Sequence, residues 1–383
     1  MARVDEARSV RGQVLSLLRD RGPLARIEIA RLSGLSATTI TRAVNLLADE
    51  GVVEEGASIS LAKLGRPATE LSIHADSYFV VGVQIGVGFV QLGLIDVLGG
   101  SRGTAHFSYD LAVPASDVVC QATESIQSLI ADAGVDRRLV LGVGVAVPGP
   151  VDAAGRRILF PINLDWRDVA VSDLMEPILG VPVTVEHNVR SMALAETRFG
   201  SAQGAGSVAF VYLRTGLGAG LVVEGQPFSG GVHGAIELGH LQVIDNGADC
   251  VCGSTGCLET VVSEPALRAR AAELGLDGTD NPITAIWEAA GTRADARDSI
   301  AAVITPLAKG LSAIVNLLNP EVILLGGALA DVPEPFFERV TEETRSAVFP
   351  LIRSSVHIDP SSLGMDAGVI GAGAVALDRY FYA

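Results

Sequence analysis

From Ser77 to Ile95 the chain carries no charged residue, a stretch approaching the length of a membrane span, and how it folds constrains everything around it. A spanning helix is one solution. Against it stand Gly82, Gly86, Gly88 and Gly93, with Gln84 and Gln91 among them and valines that suit pleated strands. Two buried strands joined by a glycine turn fit the same residues without a bilayer. The pattern then recurs: FVVGVQIGVGFVQLGLID (79–96) is echoed by VAFVYLRTGLGAGLVVEG (208–225). Each reads as an apolar strand, a glycine turn and a second apolar strand, which implies two related lobes. Further buried strands are expected at Val140–Val147, Val181–Val185 and Glu321–Leu325, separated by helices over 116–133 and 299–318. The body is therefore expected to be α/β, with a cleft between its lobes.

At 383 residues the chain is too long for one ordinary core. The division expected is 1–74, 75–195 and 196–383, with the last helix returning to the first lobe. The opening MARVDEARSVRGQ places charges where an export signal needs an apolar run, so a cytoplasmic protein is expected. The net charge of −16 argues against nucleic acid until it is divided. Residues 1–74 hold ten Lys or Arg against nine Asp or Glu, a net of +1, which leaves −17 on the rest. Only the N-terminal module can approach a phosphate backbone without repulsion.

That module has the order of a winged helix-turn-helix. Val10, Val14, Leu17 and Leu18 are helically spaced over 8–19, and Gly22-Pro23 ends that helix. A second helix fits Arg26–Ser33, Gly34 makes the turn, and Ser36 is a natural N-cap for a third helix reaching about Glu50. Ile40, Val44 and Leu47 form the inward face of that helix. Ser36, Thr38, Thr39, Thr41, Arg42 and Asn45 are then placed to meet phosphates and base edges in a major groove. Two strands, Val52–Glu55 and Thr69–Ile73, flank a basic tip, Lys63-Leu-Gly-Arg66-Pro, which reads as a wing entering the minor groove. A small helical bundle for protein contacts is the alternative.

Three of the four cysteines fall in Cys250-Val-Cys252-Gly-Ser-Thr-Gly-Cys257, with His240 ten residues before the first. Three thiols and an imidazole suit tetrahedral zinc held as a structural ion. Reduced, buried cysteines are the alternative. Cys120, alone in a helical stretch, reads as a packed small residue.

Several motifs in order now carry a resemblance: Val147-Pro-Gly-Pro-Val-Asp152, Thr215-Gly-Leu-Gly-Ala-Gly220, Glu237-Leu-Gly-His240, the cysteine loop continuing to Leu258-Glu259, and Asn316-Leu-Leu-Asn-Pro-Glu-Val-Ile-Leu-Leu-Gly-Gly327. The chain resembles the ROK family of repressors, open reading frames and sugar kinases over residues 8–383. The resemblance implies an α/β two-lobed, actin-like and sugar-kinase-like (ribonuclease H-like) body behind the α+β winged module. It implies that Glu237, His240 and Glu259 contact sugar hydroxyls, with Asn163, His187 and Asn188 in the same cleft. Glu237 and Glu259 could instead only brace the zinc loop.

Two departures from the family's kinases stand out. Their general base is an aspartate in a Glu-Asn-Asp stretch, where this chain reads Glu186-His187-Asn188, and a carboxamide cannot take a proton at neutral pH. Their first glycine loop opens with an aspartate before Gly-Gly-Thr, where this chain reads Gln84-Ile85-Gly86-Val87-Gly88. Phosphoryl transfer depends on the positioning and charge compensation those groups supply. The expected protein is a regulator that binds a sugar or sugar phosphate without phosphorylating it. It would read inverted-repeat operator DNA as a homodimer or dimer of dimers, with no membrane partner. An ATP-dependent sugar kinase with a fused DNA-binding module, or a regulator whose cleft takes a partner protein, are the rivals.

Overall fold

The computed structural model describes residues 9–59, 68–231 and 236–383. The chain forms two compact units. The first comprises residues up to Ala146 with Ala170–Glu186 and Ala372–Ala383; the second comprises Val147–Val169 and His187–Gly371. The three-way division at 74 and 195 is drawn along the sequence. In space the N-terminal module groups with the first sheet, and residues 187–195 group with the second.

The first unit opens with α1 (Val10–Arg21), β1 (Leu24–Ala25), α2 (Arg26–Ser33), α3 (Ala37–Asp49), β2 (Val53–Ile59) and β3 (Ala68–Ile73). Ser9 caps α1 by accepting the Gly12 N–H, and Ser36 caps α3 by accepting the Thr39 N–H. Gly34, at φ 71°, supplies the left-handed turn between α2 and α3. Ile40, Val44 and Leu47 are buried on one face of α3, each worth roughly 1.5–3 kcal/mol against exposure. The strands form a sheet in the order β1-β3-β2. β2 runs past the expected Glu55 because its pairing with β3 resumes, after a bulge, at Ser58 opposite Thr69.

The same unit continues with β4 (Phe79–Gly86), β5 (Phe89–Asp96), β6 (Ser101–Ser108), α4 (Ala115–Asp132), β7 (Val140–Val147), α5 (Val171–Leu179) and β8 (Val183–His187). The uncharged stretch is thus an antiparallel hairpin, and β4 is buried along its whole length, which explains its lack of charge. The sheet order is β6-β5-β4-β7-β8, with β4 and β7 parallel. β8 begins two residues later than expected because Pro182 has no N–H to give a ladder. Cys120 corrects an expectation. It is exposed, since the buried face of α4 runs through Val118, Val119, Ala122, Thr123 and Ile126 and turns position 120 outward.

The second unit holds α6 (Asn188–Phe199), β9 (Ser207–Leu213), β10 (Leu217–Val223), β11 (Gln226–Pro227), α7 (Glu259–Val262), α8 (Glu264–Glu273), α9 (Pro282–Ala290), α10 (Ala294–Leu318), β12 (Val322–Gly327), α11 (Glu334–Ala347), β13 (His357–Pro360) and the start of α12 (Ala367–Tyr380). Its sheet order, β11-β10-β9-β12-β13, repeats the first: a hairpin, a third antiparallel strand on one side and parallel strands on the other. α10 is long and apolar enough to cross a bilayer. Its Ile300, Val303, Ile304, Leu307, Leu311 and Val315 are buried in the core of this unit, against β9 and β12 residues of the same cluster. It begins five residues before the expected 299, where the Asp295 carboxylate accepts the Ala296 N–H.

Candidate functional site

Three groups of candidate residues can be followed into the structure. On α3, Ser36, Thr38, Thr41, Arg42 and Asn45 are exposed, and Thr39 is half-buried. The Thr39 hydroxyl lies 2.8 Å from Ser36 Oγ, so these two side chains bind each other as part of the cap. Thr38, Thr41, Arg42 and Asn45 line one shallow concavity with Leu46 and Asp49. Arg26, which the sequence reading passed over, reaches this face from the start of α2, with Nη2 2.7 Å from Glu55 Oε1 and 3.5 Å from Asn45 Oδ1. Its signal was its place at the opening of the helix before the turn. Lys63 and Arg66 lie outside the described residues.

The second group is a candidate metal centre in the second unit. The ligand atoms of His240, Cys250, Cys252 and Cys257 all lie within 4.8 Å of one another. His240 Nδ1 is 3.5 Å from Cys250 Sγ, and Cys252 Sγ is 3.7 Å from Cys257 Sγ. A tetrahedral zinc with ordinary bond lengths places sulfur and nitrogen about 3.6 Å apart and two sulfurs about 3.8 Å apart. The donor set therefore fits zinc in both type and spacing. The loop is held for this by backbone: Gln242 bridges Cys257, Asp249 bridges Thr255, and Gly256 at φ 66° lets the chain pass against the Ile244 carbonyl. Burial pushes the Cys257 thiol up to about 12 and raises that of Cys250, while the Ser254 N–H lowers Cys252. A bound cation would reverse the first two by stabilising thiolate.

The third group gathers along β10 and the turn before it. Glu259 opens α7, two residues beyond Cys257, and its Oε2 accepts the Leu217 N–H at 3.0 Å. A methyl group at Gly216 would come within 2.5 Å of that carboxylate and 3.5 Å of Asn163 Nδ2, and one at Gly239 within 3.2 Å of the carboxylate. Glycine at 216 and 239 is what allows Glu259 and Asn163 to approach. Asn163 is placed in turn by Gly149, at φ 76°, which packs against Pro161. Glu237 follows a bridge from Ile236 to Ala219 of β10, and it begins the short 3-10 turn that ends at His240. Val189, the second residue of α6, presses on Gly218 and Gly220 of β10. Asn163, Glu237, His240, Glu259 and the His187-Asn188 start of α6 are thereby all organised around residues 215–220. The Leu217 N–H is a polar group here that the sequence reading missed; glycine on either side of it was the available signal.

At the start of α6, His187 is buried and its pKa is held down at about 4, because burial disfavours the cation and Arg190 adds a second positive charge. Asn188 Oδ1 accepts the N–H of Val189 at 2.8 Å. In the first unit the Gly86-Val87-Gly88 turn is covered by its own side chains. The Phe89 ring lies where a methyl group on Gly86 would be, and the Tyr109 hydroxyl donates to the Gly86 carbonyl at 2.5 Å.

The chain matches known proteins along nearly its whole length. Residues 9–54 match the winged helix-turn-helix DNA-binding family, and residues 80–379 match the ROK family. The chain is 27% identical to the DNA-binding transcriptional repressor Mlc of Escherichia coli (strain K12), over 95% of this chain and 92% of that one. Its structure superposes on a ROK family transcriptional regulator, a homolog of the E. coli Mlc protein, with a TM-score of 0.81 and 25% identity over 97% and 96% of the two chains. It also matches a ROK family glucokinase from Streptomyces griseus in complex with glucose and AMPPNP, with a TM-score of 0.66 and 30% identity, covering 78% of this chain and 99% of that one. A winged helix-turn-helix in front of a body matched along its length places this chain in the ROK family.

Proposed function

We propose that this protein is a cytoplasmic DNA-binding transcriptional repressor of carbohydrate metabolism whose body binds a sugar or sugar phosphate without phosphorylating it. The observation that carries the reading is the union, in one chain, of an exposed polar third helix with a ROK body whose α6 opens on Asn188. A carboxamide cannot serve as general base, and the Asn188 oxygen already accepts a backbone N–H. The similarity to a named repressor along almost the whole chain supports the same reading.

On this reading Ser36, Thr38, Thr39, Thr41, Arg42 and Asn45 meet operator DNA, joined by Lys63 and Arg66 of the wing. Asn163, His187, Asn188, Glu237, His240 and Glu259 form the effector site, their carboxylates, amides and imidazoles offering the acceptors and donors that a polyol needs. His240, Cys250, Cys252 and Cys257 hold a structural zinc. That ion supplies rigidity, fixing Glu259 two residues beyond Cys257 and aligning His240 for its second nitrogen to face the sugar. A homodimer or dimer of dimers reads two inverted half-sites about one helical turn, or a multiple of it, apart. Effector acts by binding the DNA-free state more tightly than the DNA-bound one.

The test is fluorescence anisotropy of labelled DNA flanking the protein's own gene, at fixed salt, with protein and then a panel of sugars and sugar phosphates. Saturable, sequence-specific binding released by one sugar is expected. The glucokinase match favours one rival, an active kinase. Sugar-dependent ATP consumption without specific DNA binding would establish it.

A further inference from the structure

The first helix of the DNA-binding module is tied to the body by more than the chain that links them. Gly12 of α1 lies so close to the last residues that a methyl group there would come within 2.5 Å of the Tyr382 carbonyl oxygen. Ser9 Oγ donates to the Ala383 carbonyl at 2.8 Å. Two turns beyond Gly12 on the same face, Arg19 is almost wholly buried, its guanidinium 4.4 Å from the centre of the Tyr382 ring. Its Nε donates to Asp20 at 2.7 Å and its Nη1 to Asp378 of α12 at 3.3 Å. Tyr382 is fully buried in turn, and its hydroxyl donates to the Val97 carbonyl at the end of β5. The joint is strong but incomplete: among the described residues, Arg19 Nη2 is buried without a hydrogen-bond partner.

The helix that ends in this joint begins elsewhere. α12 starts at Ala367 in the second unit, where Gly371 meets the backbone of Ser191 in the first turn of α6. A methyl group on Gly371 would lie 2.7 Å from the Ser191 carbonyl carbon and oxygen. Backbone against backbone leaves no flexible side chain to absorb a displacement, and packed interiors transmit strain rather than dissipate it. α6 itself opens on His187 and Asn188.

We propose that α12 is a strut that couples α6 to α1, with Gly371 on Ser191 as one joint and the Arg19–Tyr382–Asp378 clamp as the other. Effector-induced movement at the start of α6 then changes how firmly α1 is held. The device rests on the reading of α6 as an effector-site helix, but its test needs neither sugar nor DNA. The measurement is hydrogen–deuterium exchange on the full chain, following amides of α1, of α6 and, as a spectator, of α9. Gly371→Ala is expected to speed exchange in α1 by about ten-fold while leaving α9 unchanged, a size typical of coupling between sites. Unchanged α1 exchange overturns the strut, as does a rise shared equally by α1 and α9, which marks general loosening. Should Gly371→Ala fail to fold, Arg19→Met reads the coupling from the other end, since coupling is reciprocal. Faster exchange in α6 supports the strut and unaltered α6 exchange rejects it. A sugar panel that never alters DNA binding defeats the functional reading and leaves this result standing.

Discussion

The two glycine hairpins, β4–β5 and β9–β10, share strand order and surroundings, yet their turns serve opposite ends. In the first, Phe89 lies over Gly86 and Tyr109 binds its carbonyl, so the turn is filled from within its own unit. In the second, the space beside Gly216 is left for side chains from distant segments, and the Leu217 N–H is satisfied by Glu259. Glycine supplies close approach in both places. What approaches sets the two turns apart: the first is closed by aromatic rings of its own unit, and the second receives the Glu259 carboxylate.

The contrast depends most on the cysteine loop, because Glu259 follows Cys257 by two residues. Cys257→Ser, or a strong chelator, is expected to abolish zinc binding and destabilise the second unit by up to about 10 kcal/mol, the scale of structural zinc sites. Elemental analysis and calorimetry read the two effects. Exchange in β4–β5 should stay slow; if both hairpins loosen alike, they are not independently built.

His187 gives the next largest effect. Its folded pKa of about 4 lies below the ordinary 6.5, so between these values the unfolded chain binds more protons than the folded one. Stability therefore falls as pH drops from about 6.5 to 4, by roughly 3 kcal/mol for this group. Subtracting the pH dependence of a His187→Gln variant in denaturant titrations isolates that share. An identical curve for the variant means that His187 is not held neutral at the start of α6.

Much of this was open to inspection in the sequence. Local signals carried furthest: Ser36 marked the start of α3, helical spacing chose Ile40, Val44 and Leu47, and glycines distinguished a hairpin from a membrane span. Cys120 was misjudged because a helical face is read from the phase of its neighbours, and one residue of phase separates Val119 from the surface. The motifs named Glu259 and Asn163 through family resemblance, but no spacing announces that Glu259 accepts the N–H of Leu217, 42 residues earlier. Arg19 and Asp378 are 359 residues apart, and a contact of that kind has no local signature at all.

Glu259→Ala sharpens the comparison more gently. It leaves the Leu217 N–H, now part-buried, without its acceptor, at a cost of about 2 kcal/mol. Thermal unfolding checks this, and the sugar that releases DNA should bind at least ten-fold more weakly to the variant, a loss expected when a charged hydrogen bond is removed. Loss of stability with unchanged sugar affinity would confine Glu259 to bracing the turn.

The smallest expected effect is the most pointed. Asn188→Asp puts a carboxylate at the head of α6, where the amide accepts the Val189 N–H, a role that aspartate fills equally well. The variant should therefore fold and bind sugar much as the parent does. It should still produce no sugar phosphate from ATP, because a base contributes only after the phosphoryl group is positioned and its charge compensated. Gln84 of the first hairpin carries no charge, and Phe89 lies against Gly86 beyond it. Coupled-enzyme detection of sugar phosphate, with magnesium and excess ATP, decides the matter. Turnover in Asn188→Asp alone would mean that the first hairpin still serves a nucleotide, and the contrast between the two turns would collapse to one side chain. Silence in the single variant, with turnover appearing only when Gln84→Asp is added, would show that the packed turn limits phosphoryl transfer as much as the side chain at position 188 does.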